Sequence, residues 1–162
     1  GIRFDNTPST NDTSKIIYCV LKSAKAPGGT EIDGGALYLN NYHKLQVSSS
    51  TFYNCKADNS YDHPSLGGKG GAVAVLNSTI KISESTFYKC NGNSQGGAIY
   101  SSYSSCELKS LRITNCTSIH KGGGIAAEYS SLILEDSYIK RDPLDLHNQE
   151  VLKGEVLISS HV

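Results

Sequence analysis

Apolar and polar residues alternate over short stretches of this chain, and the same stretches return at regular intervals. An apolar–polar–apolar pattern, or a fully apolar run in one repeat, is followed by an isolated aromatic or aliphatic residue. Runs this short, bounded by Gly, Ser and Asn, are typical of strands, and no stretch sustains a helical period. The pattern predicts an all-β chain with three short strands in each repeat. The triplets are Leu45-Gln46-Val47, Ile80-Lys81-Ile82, Cys106-Glu107-Leu108 and Leu132-Ile133-Leu134.

A Gly-Gly pair, followed by a small and then an aliphatic residue, opens each repeat. The phrase returns about every 26 residues, with one longer first interval. A tight turn beside a neighbouring coil leaves little room for a Cβ atom and favours positive φ, which glycine tolerates. We therefore expect the same tight turn in every repeat. The pairs are Gly34-Gly35, Gly70-Gly71, Gly96-Gly97 and Gly122-Gly123.

Repetition at a fixed period indicates units that bury their apolar faces only by stacking on one another. Three short strands per turn predict a right-handed parallel β-helix of about five or six coils, in which equivalent residues lie about 4.8 Å apart. We expect one solenoid segment over 1–162, with a partial coil at 1–19, coils starting near 34, 70, 96 and 122, and an incomplete last coil at 143–162. Raw solenoid ends expose unpaired strands, which favours a piece of a longer chain. The expected inner columns are Leu37, Val73, Ile99 and Ile125; Leu45, Ile80, Cys106 and Leu132; and Phe52, Phe87, Ile113 and Ile139.

Cys55, Cys90 and Cys116 each follow the isolated aromatic or aliphatic residue of their repeat by three positions, and Cys19 follows Ile16 in the same way. We expect Cys19, Cys55, Cys90 and Cys116 to share one inward column, with Cys106 in another. Two alternatives remain open: buried free thiols that act as small apolar side chains, or bridges between coils such as Cys19–Cys55 and Cys90–Cys116. A metal site is not expected, because ligands in a straight column cannot surround a tetrahedral ion.

Charge and polar residues narrow the function classes. Fifteen Lys and Arg balance fifteen Asp and Glu, whereas a nucleic-acid partner usually leaves a basic footprint. No apolar run reaches the ~18 residues of a membrane-spanning helix. The strands after the glycine pairs supply no outward acid/base pair, so we expect neither enzyme activity nor a cofactor. Tyr38, Tyr53, Tyr88 and Tyr100 are expected to form an exposed ladder that contacts sugar or protein.

Three Asn-X-Ser/Thr sequences match the pattern for N-glycosylation. They begin at Asn11, Asn77 and Asn115. Asn77 is expected at an exposed turn after a strand and is the strongest of the three. Asn115 lies beside an inward cysteine and points outward if the predicted register holds.

Two motifs together resemble the repeats of a known family. Gly-Gly-Ala-aliphatic occurs at 34–37, 70–73 and 96–99, and Phe-x-x-Cys occurs at 52–55 and 87–90. They resemble the GGA(I/L/V) and FxxN repeat of the chlamydial polymorphic membrane proteins and related β-helix surface proteins of bacteria and protists, with Cys in place of Asn. The resemblance covers roughly residues 16–142. It implies a surface-displayed, non-enzymatic solenoid used in adhesion or as an extracellular structure.

Two functions of different class therefore remain open. The first is a non-catalytic structural or adhesive β-helix at the cell surface or outside the cell, with other protein chains, surface glycans or the rest of a longer chain as partners. The second is a carbohydrate-binding or polysaccharide-degrading β-helix whose site lies outside this segment, because many β-helices act on acidic polysaccharides.

Overall fold

The strands of the computed structural model run parallel and stack coil on coil. The structure describes residues 1–6, 10, 12–26, 33–58 and 68–140, and the backbone of 151–152 and 156–159. Every regular element in those ranges is a β-strand, and all strand pairs there are parallel. The predicted fold class is confirmed: the chain is an all-β parallel β-helix.

Each coil contributes one strand to each of up to four sheets that run along the axis. The first sheet contains β1 (Ile2–Asp5), β4 (Leu37–Asn40), β8 (Val73–Leu76), β12 (Ile99–Ser102), β16 (Ile125–Glu128) and β19 (Val151–Leu152). The second contains β2 (Ser14–Ile17), β5 (Leu45–Ser48), β9 (Thr79–Ser83), β13 (Ser105–Lys109), β17 (Ser131–Glu135) and β20 (Val156–Ser159). The third contains β3 (Val20–Lys22), β6 (Thr51–Tyr53), β10 (Thr86–Tyr88), β14 (Arg112–Thr114) and β18 (Tyr138–Lys140). The fourth contains β7 (Lys56–Ala57), β11 (Asn91–Gly92) and β15 (Thr117–Ser118).

The register of these pairs places like residues over one another inside the solenoid. Phe87 pairs with Phe52 on one side and with Ile113 on the other. Val73 lies between Leu37 and Ile99 in the same way. The three predicted inner columns therefore form, and their members are buried except for Ile139, which is partly buried. Full burial of one such side chain stabilises the fold by about 1.5–3 kcal/mol.

From β1 to β17, each strand of the first three sheets is followed by a residue with positive φ that is not glycine. In the third coil these residues are Asn77 (φ 45°), Glu84 (49°) and Lys89 (55°). Single residues in this left-handed conformation turn the chain sharply, and Asn accepts it more readily than most side chains. The corners of the coil are thus made by backbone conformation at fixed positions.

A buried serine follows the positive-φ residue at most corners of the first two sheets. The Ser78 hydroxyl donates to the carbonyl of Leu76 at 2.6 Å and accepts the backbone N–H of Tyr42 at 3.0 Å. Ser104 repeats this one coil later, donating to Ser102 at 2.7 Å. These bonds satisfy backbone groups that the corner removes from the sheets, as buried polar groups require.

The glycine pair makes the remaining corner. Gly34, Gly70, Gly96 and Gly122 all have positive φ. A Cβ atom on Gly97 would lie 2.0 Å from the carbonyl oxygen of Gly123, and one on Gly71 would lie 2.2 Å from that of Gly97. Each second glycine is therefore required by the close approach of the next coil.

Candidate functional site

Three cysteines stack at the corner that follows the third sheet. Cys55, Cys90 and Cys116 are buried free thiols, and each Sγ lies 3.5–3.7 Å from the carbonyl oxygen two residues earlier. They fill the corner position that serine fills elsewhere. The stack is part of the solenoid interior.

Hydrogen bonds and burial keep the thiols of Cys55, Cys90 and Cys106 protonated. A hydrogen bond with Cys90, together with burial, raises the pKa of Cys55. A hydrogen bond with Cys116 raises the pKa of Cys90 to about 12, and burial raises the pKa of Cys106 to about 11. Because the thiolate is the reactive form, these cysteines are poor nucleophiles at neutral pH.

Cys19 does not join the stack, so the prediction of a four-cysteine column is wrong. Leu21 pairs with Phe52, which places Ala24 opposite Cys55. Cys19 instead lies opposite Ser50: its backbone N–H donates to the Ser50 hydroxyl at 3.1 Å, and its side chain is exposed. A Cys19–Cys55 bridge is therefore inconsistent with this register.

The error came from a false copy of the Phe-x-x-Cys motif at residues 16–19. Ile16 pairs with Val47 of the second sheet, so it belongs to a different column from Phe52. The first coil also continues past residue 19, through the strand Val20–Lys22. The predicted last coil at 143–162 is described only at 151–152 and 156–159, whose strands pair with the coil before.

The three sequon asparagines have different surroundings. Asn77 is exposed at the corner after β8. Asn115 is half-buried at the corner after β14, and its sequon residue Thr117 accepts a hydrogen bond from the Asn91 side chain at 2.7 Å. Asn11 lies outside the described residues.

The predicted tyrosine ladder does not form as one row. Tyr53 and Tyr88 stack with their ring centroids 5.7 Å apart. Tyr38 and Tyr100, however, are separated in register by Ala74, and Tyr100 is buried. The expectation of an exposed Tyr100 is therefore wrong.

Charged groups around Tyr100 explain its burial. Its hydroxyl donates to Glu128 Oε2 at 3.0 Å and receives a hydrogen bond from Lys69 Nζ at 3.2 Å. The backbone N–H of Lys69 donates to Asp33 Oδ1 at 2.8 Å. Burial raises the pKa values of Tyr100 and Asp33. These hydrogen bonds join residues of successive coils on the outer face of the first sheet. We call Asp33, Lys69, Tyr100 and Glu128 the Tyr100 cluster.

The sequence did not predict the charged members of the Tyr100 cluster, for a different reason in each case. Asp33 and Lys69 directly precede the glycine pairs, outside the predicted strands. Glu128 is two residues after Ala126, and strand alternation places it on the same outer face. Alternation alone would have found Glu128.

A second tyrosine pair, also missed, lies at the corner between the first and second sheets. The rings of Tyr103 and Tyr129 stack with centroids 5.0 Å apart and planes inclined by 12°. Their exposed fractions are 63% and 67%. Both are followed by serine, in equivalent places of successive repeats, so the repeat itself held the information.

The outer face of the second sheet carries a shallow groove of about 300 Å³. The residues that line the groove include the small Ser48 and Ser83 and the longer polar Lys81, Glu107 and Lys109. Lys81 forms an ion pair with Glu107. Both partners are about half exposed, so the pair stabilises the fold by no more than about 1 kcal/mol. The groove has the volume of a small ligand cleft.

Neither the described side chains nor sequence comparison assigns a chemistry. In the described ranges, no group of three or more His, Cys, Asp or Glu is arranged to hold a metal ion, and no helix there has the length and apolar character to cross a membrane. Comparison with protein-family models, with curated proteins and with solved structures gives no match. The fold and its surface define the class: a parallel β-helix repeat protein with rows of stacked residues on its faces.

Proposed function

We propose that the chain is a non-catalytic adhesive or structural β-helix of an extracellular or cell-surface protein. The observation that carries the proposal is the display of tyrosine. Tyr18, Tyr103, Tyr129 and Tyr138 are at least half exposed. Tyrosine gives a large, rigid contact area that is both apolar and hydrogen-bonding, and it is enriched where proteins bind partners.

The solenoid architecture supports the same function. Stacked coils present side chains as rows along the axis, and extended surfaces of this kind are what repeat proteins use for binding. The groove on the second sheet adds a concave strip with polar edges. Sugars and protein segments are the partners that such a surface fits.

The motifs support a relationship to the polymorphic membrane protein repeats. In those repeats Asn stands where this chain has Cys55 and Cys90. Here the two thiols point inward and contact the carbonyl oxygens two residues earlier. An asparagine amide at this corner would also donate a hydrogen bond, so the exchange keeps a donor at the same place.

The experiment is binding of the purified chain to immobilised glycans and extracellular matrix proteins. We expect saturable binding whose affinity falls at least about tenfold when Tyr103 and Tyr129 are both replaced by Ser, as for the loss of an aromatic hot spot in an interface. Replacement of Ile119, an exposed apolar residue away from that pair, by Ser is the matched control and should leave binding unchanged. Absence of binding would refute the adhesive function. Release of products from a polysaccharide would favour the carbohydrate-active alternative.

A further inference from the structure

One corner of the solenoid carries a continuous column of asparagine and tyrosine. The column follows the first sheet and consists of Asn6, Asn41, Asn77, Tyr103 and Tyr129, all with positive φ. Asn41 donates to the Asn6 side chain at 2.9 Å. Asn77 is adjacent to Tyr103, because Leu76 pairs with Ser102 directly before them.

The stacked tyrosines leave one ring face of Tyr103 uncovered on the side of Asn77. Tyr129 covers the opposite face of that ring, because it lies one coil further along the axis. The exposed fraction of Tyr103, 63%, shows that the described chain does not cover the remaining face. Asparagine, which favours this backbone conformation, fills the position in the three preceding coils. Tyrosine adopts the same conformation less readily, but it presents a flat apolar ring at the surface.

Asn77 is also the first residue of the sequon Asn77-Ser78-Thr79. Its side chain is exposed, and Thr79 is half-buried at the start of the next strand. The modifiable amide and the free aromatic face are therefore neighbours in one column, one coil apart.

We propose that Asn77 carries an N-linked glycan whose first sugar ring stacks on Tyr103. This inference rests on the proposed surface location, since it requires passage through a secretory route with a lipid-pyrophosphate oligosaccharide donor. The Asn77 amide nitrogen forms a C–N bond with the anomeric carbon of the first N-acetylglucosamine. The anomeric C–O bond breaks, lipid pyrophosphate leaves, and the amide loses one proton.

The apolar face of a pyranose ring complements an aromatic face, and such contacts bury surface on both. The first sugar would thereby cover the free ring face of Tyr103.

The test is a thermal unfolding cycle on chain secreted from a eukaryotic host. Asn11→Gln and Asn115→Gln are made first, so that Asn77 is the single acceptor, and mass spectrometry measures its occupancy. The melting temperature is then compared with and without Asn77→Gln, in three backgrounds: Tyr103, Tyr103→Phe and Tyr103→Ser. We expect the difference in melting temperature between occupied Asn77 and Asn77→Gln to be larger by about 2 °C or more with Tyr or Phe at 103 than with Ser.

An unoccupied Asn77, or an equal rise in the Tyr103→Ser background, would overturn the inference. Each background has its own Asn77→Gln reference, so the direct effect of the Tyr103 change on folding cancels. Binding to matrix and glycans is measured on the same samples. Failure of binding with an intact stacking effect would refute the proposed function alone, and the converse result would refute this inference alone.

Discussion

The ring of Phe87 lies parallel to the ring of Phe52 in the preceding coil, with centroids 4.6 Å apart and planes inclined by 2°. Both rings are fully buried. This spacing is the separation of neighbouring strands in a sheet, so the rings repeat the backbone ladder inside the core. The same relationship, one residue directly over its equivalent, accounts for the aliphatic columns and for the cysteine stack.

Replacement of Phe87 by Ala should lower the free energy of unfolding by about 3–5 kcal/mol, because it opens a cavity that rigid neighbouring coils cannot close. Urea denaturation monitored by circular dichroism measures the change. Phe87→Leu is the matched control and should cost less, since Leu refills most of the volume. Equal losses for both variants would contradict a stacked aromatic core.

The native chain should expose one reactive thiol. Cys19 is exposed, whereas Cys55, Cys90, Cys106 and Cys116 are buried free thiols. Labelling with a maleimide under native conditions, followed by mass spectrometry, should modify Cys19 alone, and unfolding in urea should release the other four. A Cys19→Ser variant should not react in the native state. Native labelling of a second cysteine, or oxidation that pairs Cys19 with Cys55, would contradict the register of the first coil.

Replacement of Gly97 by Ala should destabilise the fold by about 1–3 kcal/mol or more, because the added Cβ overlaps backbone atoms that cannot move independently. The nearest of these is the Gly123 carbonyl oxygen, at 2.0 Å. Thermal and urea unfolding measure the loss, and failure to fold is the extreme form of the same result. Ser105→Ala, at an exposed strand position, should change stability by less than about 0.5 kcal/mol. A stable Gly97→Ala variant would contradict the tight turn.

The Asp33 carboxyl should make the chain less stable as the pH rises. Burial raises the pKa of Asp33 in the folded chain above its unfolded value. Its contribution to stability is therefore fully present below the unfolded pKa and is lost as the pH increases through the folded pKa. The free energy of unfolding of the native chain, relative to Asp33→Asn, should fall across that window.

The difference between the two chains isolates this group. Hydrogen bonding to Lys25 lowers the pKa of Asp58, so the contribution of Asp58 to stability rises with pH, opposite to that of Asp33. Because Asp58 is present in both chains, its contribution cancels in the comparison. A pH-independent difference between native chain and Asp33→Asn would show that Asp33 does not titrate from a buried position.

The sequence predicted the columns well because each one is set by a residue type that recurs at a fixed place. Leu37, Val73, Ile99 and Ile125 are all aliphatic and follow glycine pairs, so their equivalence needs no knowledge of the corners. The prediction for the first coil failed because Cys19 stands at a corner position that serine fills in the next two coils. The pairing of Leu21 with Phe52 resolves this, and that pairing depends on the neighbouring coil.

The surface was less predictable for a related reason. Tyr100 is buried by Lys69 and Glu128, which come from other parts of the repeat. A period-2 pattern assigns a face to a residue but does not say what covers that face. The positive-φ corners were also missed, because residues as different as Asn77, Glu84 and Lys89 adopt them.

The most direct test of coil-on-coil stacking is a nuclear Overhauser measurement on chain labelled at phenylalanine. The chain has three Phe residues, and a Phe87→Leu variant assigns the ring signals of interest. The structure predicts a strong ring–ring effect between Phe52 and Phe87 that disappears in the variant. Absence of that effect in a folded native chain would contradict the stacked register on which the fold, the corners and both proposals depend.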